Sequence, residues 1–408
     1  MNLPAKFAWR YFKAKKGTNA INIISWTTAG VIAFSTMCQV LVLSVFNGFE
    51  DLVKSLYSNF YTDIRVVPSS GKTLFLSADT FNLIKNFKGI SNVSLIAEEK
   101  ALIQNGELQT VVFLKGVDDN YRNISGVPHK MLKGDFKTGN AENPLLILGA
   151  GVENAVGIES DKNIVPLTLF LPKKQTAGSS DPLSSISEGN AYTAGSFAIQ
   201  QDFDNKYVIT NIDFVRQQMN YKPNEISAVE IALVLGADAS RVIKNLQETL
   251  GNNYNVQSRY QQNSSLYNSM QTEKWAVFAV LTLILIIAAF NMISALTMLV
   301  LEKKKDISVL QSLGSSKQLI LRIFLSEGLI LAAAGAVIGI FMALVIGLLQ
   351  MNFKLIKLQG NSFLIDYFPV KFIYKDFLLV ASTAFFIALI ASWFPAKKAS
   401  EQEFELRS

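Results

Sequence analysis

One cysteine, one histidine and a shortage of charge set the first limits on this chain of 408 residues. The lone cysteine, Cys38, excludes an intrachain disulfide and a Cys-rich metal site, and it reads as a small buried hydrophobe. The lone histidine, His129, stands in a Pro-containing stretch (Val127-Pro128-His129-Lys130) without Cys or carboxylate partners nearby. It reads as a surface residue, and a single histidine rules out any HExxH metal site. Charged residues make up 17% of the chain, against roughly 25% in soluble domains. The deficit is concentrated in Ile21–Phe46, Trp275–Leu301, Leu329–Leu349 and Phe377–Ala396. Each is a run of about 20 or more uncharged residues, the length that crosses a hydrocarbon core at about 1.5 Å per residue. An ordinary soluble enzyme is excluded, and the wealth of aliphatic and aromatic residues excludes disorder. The composition is that of a membrane protein.

Catalytic motifs are also missing. Gly71-Lys72-Thr73 has the ending of a phosphate loop, but the required glycine five residues before Gly71 is replaced by Val66. No G-x-S-x-G elbow occurs. Asp202 and Asp204 form a D-x-D without the glycine and distal glutamate of a calcium loop, so they read as a surface loop. The expectation is a chain that is not an enzyme and binds no cofactor or metal. The net charge of +6 does not indicate nucleic acid, because the basic residues hug the apolar runs. Lys6, Arg10, Lys13, Lys15 and Lys16 precede the first, Lys303–Lys305 follow the second, and Lys397 and Lys398 follow the fourth. That distribution is a topology signal and a contact with anionic headgroups.

The reading that follows is a four-span α-helical membrane protein with an α/β extracytoplasmic domain. Its parts are a basic cytoplasmic N-terminus (1–20), a first span (21–48), an extracytoplasmic domain (49–274), and a second span (275–301). A cytoplasmic segment (302–318), a third span (319–349), a short extracytoplasmic loop (350–376), a fourth span (377–396) and a cytoplasmic tail (397–408) complete it. The loop 350–376 carries Lys354, Lys357, Lys371 and Lys375, against the positive-inside rule. The five basic residues before the first span outweigh it. Ile21–Phe46 is too long for a signal peptide, and no small-x-small cleavage site follows it, so it reads as a retained span.

Within 49–274, Tyr61–Pro68 reads as a strand and Ala78–Phe87 as a helix. Leu95–Ile103 and Leu108–Val117 flank Asn105-Gly106 as a hairpin. Ile226–Leu235 reads as a strand, followed by a helix capped at Asp238 or Ala239 and stopped at Gly251, and then by a strand over Tyr254–Tyr260. The order suggests a ferredoxin-like split βαβ lobe with a β-rich lobe inserted at about 118–225. The insert holds strand candidates Leu145–Leu148, Ile164–Leu171 and Tyr207–Thr210, with a mobile Ser/Gly/Pro-rich loop expected over Thr176–Gly195. That loop is a candidate carrier-docking element. Ser264–Lys274 is expected to run as a helix straight into the second span.

Two membrane-side features stand out. In Glu302-Lys-Lys-Lys-Asp306-Ile-Ser-Val-Leu310-Gln-Ser-Leu313-Gly314, the residues Ile307, Leu310 and Leu313 recur every third position. They would form an apolar stripe on a short helix stopped by Gly314. Such a helix can lie on the membrane or fill a groove on a cytoplasmic partner. In the third span, Glu327 lies one to two turns inside Arg322, where a carboxylate must be paired or face the bundle interior. Gly335-x-x-x-Gly339 suits close helix packing.

The pattern Glu302-Lys303-x-x-Asp306-Ile307-x-x-Leu310-x-x-Leu313-Gly314 resembles the coupling helix of MacB-superfamily (type VII) ABC transporter permeases. That group includes lipoprotein-releasing (Lol) permeases, MacB-type exporters and FtsX cell-division proteins. The resemblance extends to Ala8-Trp9-Arg10-Tyr11-Phe12-Lys13-x-Lys15-Lys16, Leu41-Val42-Leu43-Ser44-Val45-Phe46-Asn47-Gly48-Phe49, Leu148-Gly149-x-Gly151, Phe324-Leu325-x-Glu327-Gly328 and Phe394-Pro395-Ala396-Lys397-Lys398-Ala399-Ser400. Departures are Asp306 where many members have Glu, Gln311 where a basic residue is usual, and Ser160-Asp161 where Gly-Asp is common. The Pro that usually precedes Glu405-Leu406-Arg407 is also missing. The resemblance implies a multi-pass protein of the bacterial inner membrane with cytoplasmic termini. It further implies a second permease subunit, identical or paralogous, and a cytoplasmic ABC ATPase dimer that binds ATP and Mg. The implied cargo is lipoprotein passed to a periplasmic carrier. The alternatives are a MacB-like exporter of periplasmic peptides or small molecules, and an FtsX-like regulator of a cell-wall hydrolase.

Overall fold

The computed structural model describes residues 19–162, 165–174, 185–358 and 366–401. The chain forms two compact units, Met1–Leu52 with Asn268–Ser408, and Val53–Tyr267.

Among the described residues, the first unit is built on four helices long and apolar enough to cross a membrane. They run over Asn19–Tyr57, Ser264–Glu302, Lys317–Phe353 and Tyr374–Ser400. The first two have 39 residues each and so measure about 58 Å, well beyond a hydrocarbon core of about 30 Å. Small residues set the packing. A Cβ at Gly335 would lie 2.8 Å from the Ala29 carbonyl oxygen, and one at Gly339 would lie 2.3 Å from that of Ala33. The first and third helices therefore touch backbone to backbone along the G-x-x-x-G face. A Cβ at Gly328 would lie 2.1 Å from Ser392 Oγ of the fourth helix and 2.9 Å from Leu296 Cδ1 of the second. Two of the four lysines of the 350–376 loop have local partners: Lys371 pairs with Asp51, and Lys354 Nζ lies 4.2 Å from the centre of the Tyr367 ring.

The Val53–Tyr267 unit is α/β. Its strands are β1 (Ile64–Pro68), β2 (Leu74–Phe75), β3 (Ile90–Asn105), β4 (Leu108–Val117), β5 (Met131–Gly134), β6 (Leu145–Gly149), β7 (Leu167–Pro172), β8 (Ile186–Phe197), β9 (Tyr207–Asn211), β10 (Glu225–Ile226), β11 (Ala228–Leu233) and β12 (Tyr254–Ser258). The order β12-β1-β11-β3 is antiparallel throughout. Helix Ala78–Lys85 lies between β1 and β3 in sequence, and Ala239–Leu250 lies between β11 and β12. This is the split βαβ arrangement. Ser77 and Asp238 cap the two helices through their side chains, and Gly251 at φ +75° ends the second.

The inserted lobe grows from the β3–β4 hairpin. From β4 the pairing runs to β9, β6, β8 and β7, and β7 pairs back onto the end of β3. The six strands close into a small barrel, with β3 shared between barrel and split βαβ sheet, and β5 is added outside on β8. Closure removes the edges that an inserted sheet would otherwise expose.

Several local expectations need correction. The Thr176–Gly195 segment is not a loop throughout: β8 occupies its last ten positions, and residues 175–184 lie outside the described residues. Asn105 pairs with Leu108, so the hairpin turns on Gly106-Glu107, with Gly106 at φ +58°. A glycine in the first central position is what a two-residue loop with that geometry requires. The Ile226–Leu235 strand divides at Ser227 into β10, which pairs with β2, and β11 in the main sheet. The last strand stops at Ser258 because that residue makes a capping box for the one-turn helix Arg259–Gln262.

Candidate functional site

The segment after the second spanning helix folds as a separate short helix, Lys304–Ser312. It ends in a Schellman motif. The Ser315 amide donates to the Leu310 carbonyl at 3.0 Å and the Gly314 amide to that of Gln311 at 2.9 Å, while Gly314 takes φ +84°. Only glycine adopts that conformation cheaply. Ser316 then caps the third spanning helix. Glu302 is the last residue of the second spanning helix and is half-buried. Lys303 occupies the N-cap position, its Nζ 3.3 Å from Asp306 Oδ2.

The three apolar residues do not share one face. Ile307 is buried in one core with Leu299, Val300, Ile320, Phe324, Ala396 and Ala399. Leu310 is half-buried, and Leu313 is 77% exposed. The reason is geometric: a three-residue step falls short of a helical turn by about 60°, so Ile307 and Leu313 diverge by about 120°. The residue that shares the Leu313 side is Val309, four positions earlier and 59% exposed. Sequence reasoning missed Val309. Ile307 thus seats the short helix on the bundle, while Val309 and Leu313 face outward beside exposed Lys304 and Lys305. Of the intramembrane candidates, Glu327 is buried in the third helix and Arg322, five residues before it, is exposed. Gly335 and Gly339 face the first helix.

Within the Val53–Tyr267 unit, the places where the chain enters and leaves are tied together. Ile64 of β1 pairs directly with Ser258 of β12. Arg259 Nη2 lies 2.8 Å from Asp63 Oδ1, and Gln262 Nε2 donates to the Thr62 carbonyl at 3.0 Å. Lys54 Nζ stands 4.9 Å from the centre of the Tyr260 ring. The entering segment also carries an aromatic anchor: Phe60 stacks on Phe203 at 4.3 Å, Tyr57 packs on Phe203 at 4.8 Å, and Tyr57 Oη donates to Asp202 at 2.8 Å.

Beneath Phe60 lies a buried ionic network that sequence inspection did not find. Arg65 faces Glu230 across β1–β11, and Glu98 faces Lys115 across β3–β4. Lys115 Nζ donates to Glu230 at 2.8 Å, and Arg65 to Glu98 at 2.9 Å. The Lys115 ammonium sits 4.8 Å from the ring centres of both Phe60 and Tyr121. Burial pushes the Glu98 carboxyl upward, but the neighbouring Arg65 and then Lys115 outweigh it and hold the group below the usual range. Burial also disfavours the Lys115 cation, yet Glu230 beside it keeps it protonated.

Fold and site together define a polytopic membrane protein with a two-lobed α/β domain and a short helix seated between its second and third spans. Residues 278–404, which contain that helix, match the FtsX-like permease C-terminal family. The whole chain is similar to the lipoprotein-releasing system transmembrane protein LolE of Haemophilus influenzae, at 24% identity over 98% of each chain. It is also similar to the lipoprotein-releasing system transmembrane protein LolC of Neisseria meningitidis, at 25% identity over 98% of each chain. The periplasmic region of MacB from Actinobacillus actinomycetemcomitans aligns with 53% of this chain and 98% of its own at a TM-score of 0.37 and 11% identity.

Proposed function

We propose that this chain is the permease subunit of an ABC transporter of the lipoprotein-releasing type in a bacterial inner membrane. The observation that carries the reading is the end-to-end likeness, over 98% of both chains, to a lipoprotein-releasing transmembrane protein. In this reading the helix Lys304–Ser312 is the coupling helix. Val309 and Leu313 enter a groove on a cytoplasmic ABC ATPase, and Ile307 fixes the helix to the spans. Two permease subunits share an ATPase dimer, which holds ATP and Mg, and this chain does no catalysis.

The work is mechanical. The second spanning helix is unbroken from Ser264 to Glu302, so in this reading a push at its cytoplasmic end is carried along its length. Just before that helix, the Ile64–Ser258 pairing and the Arg259–Asp63 ion pair hold the returning chain beside the segment that enters the Val53–Tyr267 unit. A lipoprotein is thereby freed to a periplasmic carrier. The test is a mild-detergent pulldown of the tagged protein from its native membrane with mass spectrometry of everything retained. An ABC ATPase together with triacylated lipoproteins is expected. A cell-wall hydrolase or an outer-membrane channel in place of lipoproteins would refute the cargo assignment, and the lack of any ATPase would refute the coupling assignment.

A further inference from the structure

At the end of the spanning bundle from which the chain leaves for residues 53–267, three helices meet through polar side chains. Lys274 Nζ of the second helix donates to Asn47 Oδ1 of the first at 2.7 Å. It also stands 3.6 Å from Asp376 Oδ2, in the first turn of the fourth. Asn47 Nδ2 donates to that same carboxylate oxygen at 2.5 Å. Asn47 is buried, and the Lys274 and Asp376 side chains are only 18% and 13% exposed. Each group answers the other two: the amide oxygen receives the ammonium, and the amide nitrogen serves the carboxylate. Charges so withdrawn from water persist only where they are coordinated in this way.

The second helix needs such a tie. Its buried residues begin at Leu285, with none between Ser264 and Ile284. Over that half it meets the first helix through Lys274, through Gln39 Nε2 donating to Thr282 Oγ1 at 3.2 Å, and through Phe278, half-buried near Val40 and Leu43. The seam is not fully satisfied. Gln39 is wholly buried, and neither its Oε1 nor Ser35 Oγ one turn earlier has a hydrogen-bond partner. An unanswered amide oxygen in an apolar site is costly, and opening the seam to water or another donor relieves that cost.

We propose that Lys274, Asn47 and Asp376 form a latch that holds the outer half of the second spanning helix against the first. Its release opens a seam lined by Ser35, Gln39 and Thr282. The geometry stands by itself; the consequence rests on the functional reading above. If the second helix transmits the stroke of the coupling helix, the latch determines whether that stroke parts the first and second helices.

The test uses the full chain in native membranes, with Cys38→Ser to remove the endogenous thiol and Gln39→Cys as reporter. With the latch intact, the reporter thiol is shielded and reacts slowly with a small water-soluble maleimide. Asp376→Asn and Lys274→Met are each expected to speed labelling about tenfold, the shift that loss of a charge-assisted hydrogen bond brings. The reversed pair, Lys274→Asp with Asp376→Lys, should restore slow labelling, because the Asn47 amide can turn over to serve it. Labelling unchanged in both single variants, or no slower in the reversed pair than in Asp376→Asn, would overturn the latch. Release of a triacylated lipoprotein is then measured in the same variants. Labelling that responds as expected while release does not would keep the latch and overturn the functional reading alone.

Discussion

The Lys115–Glu230 pair offers a quantitative check of how the Val53–Tyr267 unit is held together. Lys115 is 1% exposed and Glu230 fully buried, and they meet at 2.8 Å. Glu230→Gln leaves the ammonium facing two aromatic rings without the carboxylate it donates to. Breaking one side of a buried pair costs about 3–5 kcal/mol. For a unit of 150–250 residues each kcal/mol lowers Tm by about 2–4 °C, so the variant should melt about 6–20 °C lower. Lys115→Met combined with Glu230→Gln removes the stranded charge and should lose no more than about half as much, because an apolar replacement of a buried pair is often neutral. The assay is calorimetry of the detergent-purified protein at one fixed scan rate, with the near-ultraviolet tyrosine band followed in parallel, since Tyr61, Tyr121 and Tyr207 surround the network. A Glu230→Gln protein within about 1 kcal/mol of the parent, or a double variant as unstable as the sum of the singles, would refute the argument.

Four further outcomes follow from the same structure. Glu98 is held below its ordinary carboxylate range by Arg65 and Lys115, so its contribution to stability is full above about pH 4.3 and is lost as pH falls through the lower folded value. An acid titration of melting temperature should therefore be shallower in Glu98→Gln. Gly339→Leu would drive a side chain into the Ala33 carbonyl, which a Cβ alone approaches to 2.3 Å, and should cost about 1–3 kcal/mol or more by thermal unfolding. Gly30→Ala, with nothing within 4 Å, should be close to neutral. Gly314→Ala, at φ +84°, should cost about 1 kcal/mol and weaken ATPase capture without lowering yield.

What could be read from the sequence tracks how local each signal is. The spans are visible because an apolar run of about 20 residues has no other common explanation, and Gly335-x-x-x-Gly339 shows its packing face by spacing alone. The Gly314 stop and the Asp238 cap are equally local. By contrast β8 escaped because its inward positions are Ser187, Gly189 and Ala191. Gly189 must be small since a Cβ there would lie 2.9 Å from the Gln218 side chain and 3.0 Å from Phe214, so the hydrophobic alternation that marks a strand is missing. Arg65, Glu98, Lys115 and Glu230 look like solvent-facing positions until strand register brings them together beneath Phe60. The latch draws on positions 47, 274 and 376, whose proximity only the helix packing reveals. The apolar stripe of the short helix was misassigned for a smaller reason, since counting every third residue ignores the rotation that separates Ile307 from Leu313.

The central claim, that Lys304–Ser312 receives motion from an ATPase and delivers it as lipoprotein release, is tested most directly on the exposed pair Val309 and Leu313. Their side chains contribute little to the fold, so Val309→Asp with Leu313→Asp should leave the purified protein's melting temperature within about 1 kcal/mol of equivalent stability. In native membranes the account predicts that this variant loses the co-purifying ABC ATPase and with it the release of triacylated lipoprotein. Full ATPase capture and undiminished release by the doubly substituted protein would contradict it.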